Sequence, residues 1–169
     1  MRWRIAALAA GILLCGCTTN PVPEGYTGPV ANITDSYNYR SDKAYDFFVV
    51  TKVNGKPIDE SLSATAGANY GRGFAITPLA IGRKVPAQEA TFTVLGRTHY
   101  AAPILEMLNP VYQISGEIKF TPLPDHDYYV EGKMDDEHSV IWIRDNTTRQ
   151  RVADQIEIKG STRLGLLQK

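Results

Sequence analysis

Cysteine is nearly missing from this chain. Its two residues, Cys15 and Cys17, sit close to the N terminus of 169 residues. A disulfide-stapled scaffold is therefore excluded, because the body of the chain has no thiol to cross-link. An excess of one charge is missing as well. Eighteen Lys and Arg stand against eighteen Asp and Glu, whereas a protein that tracks a phosphate backbone carries a basic excess, so nucleic acid is not expected as a partner. No bilayer-length apolar run is present: the N-terminal one covers residues 5–14 and spans about 15 Å as a helix, half of a hydrocarbon core. Catalytic signatures are lacking too. There is no Gly-x-Ser-x-Gly elbow, no His-Glu-x-x-His, no Walker loop and no cysteine pairs at zinc spacing.

What is present begins with a leader. Arg2 and Arg4 precede the apolar run, which is the layout of a secretory signal. The run ends in Leu14-Cys15-Gly16-Cys17, which resembles the lipobox of bacterial lipoproteins: a Leu, two mostly small residues and an obligatory Cys. Leu14, Gly16 and Cys17 fit, and Cys15 is a less usual occupant of its position. The resemblance implies cleavage between Gly16 and Cys17 and a diacylglycerol on the Cys17 sulfur. Two acyl chains anchor durably, at about 0.8 kcal/mol per buried CH₂. Thr18 follows instead of Asp, which among enterobacterial-type lipoproteins implies the outer membrane, on its periplasmic side. Without its leader the chain keeps 153 residues, with sixteen basic and eighteen acidic side chains. That length buries about 68–70% of the unfolded surface without cross-links.

The expected organisation is a signal peptide over 1–16, a lipidated Cys with a flexible tether over 17–36, and one β domain over 37–169. Pro21, Pro23, Pro29, Gly25 and Gly28 mark the tether, which at about 3.1 Å per residue reaches at most roughly 45 Å. Beyond it the hydrophobic period is two. In 113–121, Ile114, Gly116, Ile118 and Phe120 share a face; in 90–100, Phe92 and Val94 point inward and Thr91, Thr93, Arg97 and His99 outward. Residues 152–158 alternate likewise. Segments 44–53 and 139–143 are apolar on both faces, as central strands are, and 74–81 and 128–134 are further candidates. Asn54-Gly55 marks a hairpin. Asn109-Pro110 reads as the turn of a long hairpin between 104–108 and 112–120, with a short helix over 103–109 as the alternative. This pattern predicts an all-β protein, an antiparallel β-sandwich of about seven to nine strands, immunoglobulin-like or transthyretin-like. Segments 116–122 and 128–132 resemble small sandwich domains of bacterial lipoproteins, and that resemblance brings no catalytic residue with it.

Side chains able to do chemistry are scattered. The run Gly67, Gly71, Arg72, Gly73 lacks the Lys-Ser/Thr ending of a phosphate cradle and reads as a loop. Asp125, His126 and Asp127, with Asp135, Asp136, Glu137 and His138, are of metal-ligating type. A strand between the two groups holds them about 20 Å apart, too far for one coordination sphere, so they read as polar loops at the ends of a hairpin. His99 is expected on a surface without a partner, and Trp142 in the core. Tyr37, Tyr39, Tyr45, Tyr70, Tyr100, Tyr112, Tyr128 and Tyr129 are expected chiefly to complete the core at sheet margins. The other reading is exposed rings that stack on sugar or on a partner protein. No catalytic residue, metal or cofactor is expected. The functional expectation is a non-catalytic binding or structural module, held to the membrane by its N-terminal lipid, whose partner is another envelope protein or peptidoglycan. Its rivals are an inhibitor that plugs a lysozyme or protease, and a metal-assisted hydrolase built on His126 and His138.

Overall fold

Alternating side chains become strands where one face has a core to cover. The computed structural model describes residues 20–169, so Leu14, Cys15, Gly16 and Cys17 of the lipobox lie outside the described residues. In chain order the elements are β1 (Val30–Thr34), β2 (Ser36–Ser41), β3 (Ala44–Val53), β4 (Lys56–Pro57), α1 (Ser61–Asn69), β5 (Gly82–Pro86), β6 (Ala90–Tyr100), α2 (Pro103–Leu108), β7 (Gln113–Phe120), β8 (Asp127–Met134), β9 (His138–Asp145) and β10 (Ile156–Lys159). One sheet has the order β10-β9-β8-β1-β5; the other runs β2-β3-β6-β7, with β4 added to β3. Pairing is antiparallel except between β1 and β8. The chain forms the β-sandwich that its period predicts, with ten strands among the described residues instead of about seven to nine.

β6 alternates throughout its length, with Phe92 and Val94 buried and Arg97 and His99 on the outer side. Phe48 and Val50 of β3 join Ile33, Phe92, Ile114, Val130 and Ile141 between the sheets. β3 is also covered on its outer side, where Phe47 lies against the rings of Tyr37 and Tyr45 and α1 packs across the strand. Asn54 and Gly55, with φ of 50° and 76°, make the left-handed pair of a tight hairpin turn between β3 and β4.

The segment expected as a flexible tether over 17–36 is folded where it is described, from residue 20 onward. Val30–Thr34 is a central strand between β5 and β8, with Ala31 and Ile33 buried. Its five residues alternate, but Gly28 and Pro29 directly precede them and hide the pattern. Two flanking strands supply the ladder that so short a segment cannot provide for itself. Residues 20–29 are folded as well. The Tyr26 N–H donates to the Pro23 carbonyl at 3.1 Å and the Tyr26 hydroxyl to the Pro29 carbonyl at 2.9 Å. Pro21 and Pro23 border a small pocket of about 150 Å³ together with Val53, Ile58 and Val85.

At Asp35 the chain crosses from one sheet to the other. β8 thereby loses its β1 neighbour beyond Tyr129, and its carbonyls need other donors. Side chains of β2 provide them at every second residue. Ser36 Oγ donates to the Val130 carbonyl at 2.5 Å, Asn38 Nδ2 to Gly132 at 3.1 Å and Arg40 Nη2 to Met134 at 2.9 Å. Asn38→Ala strands one of these acceptors and is expected to cost about 1–2 kcal/mol. The reading is a lower urea midpoint at unchanged slope.

A similar ladder accounts for α1. Its buried face is polar, made of Ser61, Thr65 and Asn69 at spacings of four. Those side chains accept the N–H groups of Ile81, Leu79 and Thr77 at 2.8, 2.9 and 2.9 Å. Four helical residues rise about 6 Å and two extended residues about 6.6 Å, so the two registers match. Segment 74–81, expected as a strand, is therefore extended against a helix and, among the described residues, pairs with no strand. Pro78, which has no N–H, falls between two of the donors.

Three further expectations change. Residues 104–108, expected as one arm of a hairpin turning at Asn109-Pro110, lie instead in α2, with Pro103 in its first turn, and β7 pairs with β6. The last strand is only Ile156–Lys159, with Val152 and Ala153 packed beside the core outside it. Trp142 is not a core residue: the alternation that turns Ile141 and Ile143 inward turns it outward. There its Nε1 donates to Glu131 Oε2 at 3.1 Å, and the Arg151 guanidinium lies 4.5 Å over its ring.

Candidate functional site

The outer face of the β2-β3-β6-β7 sheet follows from its register. Tyr39, Tyr45 and His99 lie opposite one another, and Tyr37, Phe47, Arg97 and Gln113 form the next row. The rings meet edge on or tilted, with centroid separations of 5.6 Å for Tyr37–Tyr45, 5.7 Å for Tyr39–Tyr45 and 6.3 Å for Phe47–His99. Each such aromatic pair adds about 0.5–1.5 kcal/mol beyond burial, which makes the row rigid as well as apolar. Tyr39 remains 64% exposed, and its hydroxyl donates to Asp42 Oδ1 at 2.8 Å.

Where this row meets the end of β6, α1 and α2 leave a cleft of about 650 Å³ bordered by Asn69, Tyr70, His99, Tyr100, Pro103 and Glu106. Small-molecule sites occupy about 300–1,000 Å³ and are mostly apolar with a few placed polar groups, a description this cleft meets. Tyr70, at its rim, is 92% exposed.

The polar pair in the cleft is His99 and Glu106. Pro103 starts α2, and Glu106 one turn later is carried back over β6, so that its Oε1 lies 2.9 Å from His99 Nδ1. Its Oε2 lies 3.6 Å from Arg97 Nη2. Burial alone would push the Glu106 carboxyl up, but the hydrogen bond and charge of His99 and the charge of Arg97 outweigh it and hold the group below the usual carboxylate range. When His99 donates its Nδ1–H to Glu106, Nε2 carries the lone pair. Among the described residues, Glu106 is the hydrogen-bond partner of this ring. A carboxyl depressed by folding adds stability that is complete above its unfolded value, about 4.3, and is lost as pH falls through the lower folded value. Wild-type melting temperatures are therefore expected to drop between about pH 4.3 and more acidic buffer. Glu106→Gln should flatten part of that drop.

The remaining sequence candidates fall elsewhere. His99 is half-buried and partnered, which corrects the expectation of a lone surface residue. The tyrosines divide: Tyr100, Tyr112 and Tyr128 are buried, whereas Tyr37 and Tyr39 are exposed on the sheet face and Tyr70 at the rim of the cleft. Asp125–Asp127 and Asp135–His138 lie at opposite ends of β8, as the strand length predicts. Each histidine there pairs with a carboxylate, His126 Nδ1 with Asp145 at 2.7 Å and His138 Nε2 with Glu157 at 3.0 Å. The glycine-rich run closes α1 and opens no helix, and Gly71 and Gly73 take left-handed turns there. Glu106 was not singled out by its sequence context, although Pro103 followed three residues later by an acid is a helix-start signal. No known protein family, no curated protein and no solved structure matches this chain.

Proposed function

We propose that this chain is an envelope lipoprotein acylated at Cys17 and anchored on the periplasmic side of the outer membrane, with its β-sandwich acting as a binding module and not as an enzyme. The motif Leu14-Cys15-Gly16-Cys17 behind a basic, apolar leader supports the anchor. The observation that carries the binding role is the cleft beside a row of tyrosines, with one oriented polar pair inside it. Exposed tyrosine faces suit the apolar faces of sugar rings. An imidazole nitrogen with its lone pair free accepts from a hydroxyl. Peptidoglycan glycan is therefore the ligand this surface fits best. The non-catalytic reading is supported by the sequence, which carries no Gly-x-Ser-x-Gly elbow, no His-Glu-x-x-His and no Walker loop.

Two measurements test the reading. Globomycin is expected to leave an uncleaved precursor, and normal processing in its presence contradicts the anchor. Purified protein is expected to co-sediment with isolated peptidoglycan, and His99→Ala or Tyr39→Ala to weaken this at least tenfold, equivalent to about 1.4 kcal/mol. Wild-type protein that stays in the supernatant overturns the glycan assignment.

A further inference from the structure

The cleft and the N-terminal segment lie at opposite ends of one strand. Ala90, where β6 begins, borders the small pocket shared with Asn20 and Pro21; Tyr100, where β6 ends, borders the cleft. Ten strand steps separate them by about 34 Å. Asn20 follows Cys17 by three peptide steps, which span at most about 11 Å. A second feature marks the same end. β7 arrives there with Phe120 opposite Ala90, and the loop that follows exposes half of Leu123 between Pro122 and Pro124. The Leu123 N–H is held by the Tyr128 hydroxyl at 2.9 Å. Lys56, in the neighbouring hairpin, is exposed and cationic.

We infer that this end of the sandwich rests on the lipid headgroup surface, with Leu123 and Lys56 against it, and that the cleft is thereby carried at a fixed height above the bilayer. The inference rests on the acylation of Cys17 proposed above. A flexible tether would let the body wander. A segment folded from Asn20 onward leaves too little slack for that, so a partner is met on the side facing away from the membrane.

Neutron reflectometry of the lipidated protein on a supported bilayer tests this. Protein density is expected to begin at the headgroups with no intervening water layer. A 15-residue Gly/Ser insertion after Thr19 is expected to open a gap of about 20 Å, and Leu123→Ser to loosen the contact without changing lipidation. A water layer beneath the wild type equal to that of the insertion variant overturns the inference. Mass spectrometry of the mature N terminus reads acylation separately. If Cys17 proves unmodified, the anchor is what fails. The same reflectometry on protein coupled through the Cys17 thiol to a maleimide lipid then still decides whether this end lies on the membrane.

Discussion

Asp35→Ala is expected to remove about 3–5 kcal/mol of stability, the cost of breaking a buried ion pair from one side. Typical domains have only about 5–15 kcal/mol in total, so this variant approaches unfolding. Asp35 is fully buried at the crossing between β1 and β2. It accepts the Val50 N–H at 3.0 Å, the Ser61 N–H at 2.9 Å and the Ser61 hydroxyl at 2.9 Å, and it pairs with Arg83. One carboxylate thus joins β3, the start of α1 and β5. Arg83→Met is expected to be comparably harmful but with a different pH signature. Burial pushes the Asp35 carboxyl up and Arg83 opposes that, so removing the arginine raises the folded pKa further above the unfolded one. Such a group binds its proton more tightly when folded. Its contribution is therefore full below the unfolded value, about 3.9, and declines as pH rises. The deficit of Arg83→Met relative to wild type should narrow in acid, as measured by urea titration. A deficit independent of pH would contradict the assigned role of Arg83. Asp35→Leu combined with Arg83→Met should recover much of the loss, because paired apolar replacements often restore what single ones destroy.

Gly132→Ala is expected to cost about 3 kcal/mol, at the upper end of the overpacking range. A Cβ at this position would lie 2.5 Å from Phe48 Cδ1 and 2.5 Å from the Val140 carbonyl oxygen, and the latter is backbone that cannot swing aside. Gly96 faces the same ring from β6, where an added Cβ would sit 3.2 Å from Phe48 and 2.9 Å from Ile114 Cγ2. The Phe48 ring between the sheets is therefore seated between two residues without side chains. Phe48→Leu in the Gly132→Ala background should restore part of the loss, and Gly96→Ala alone should cost less than Gly132→Ala. Thermal denaturation of these three variants and the wild type reads both comparisons. Equal melting temperatures for wild type and Gly132→Ala would refute the seating argument.

The legible parts of this fold were those whose two faces differ in polarity. β6 and β7 carry apolar residues on one face and Thr, Arg, Glu or Lys on the other, so period two announces them. α1 is hidden for the opposite reason: the face it buries is Ser61, Thr65 and Asn69, and no apolar stripe marks it. Its partner segment then imitates a strand, being extended for the benefit of those side chains. β1 was masked by Pro29, and α2 is only six residues long, too short for a period to be counted. The site was legible only in pieces. The tyrosines and His99 were visible, but Glu106 reaches His99 through a helix whose existence the sequence left open.

The β2 side chains that reach across to β8 have a consequence for solubility. A strand that loses its neighbour part-way along its length normally displays a row of bare main-chain acceptors, and any extended polypeptide can copy that row and stack onto it. Here Ser36, Asn38 and Arg40 occupy the row with side chains. They fill the acceptors without offering a new backbone register for another chain to continue. The sandwich thus keeps an internal seam open to shape and closed to templated self-association.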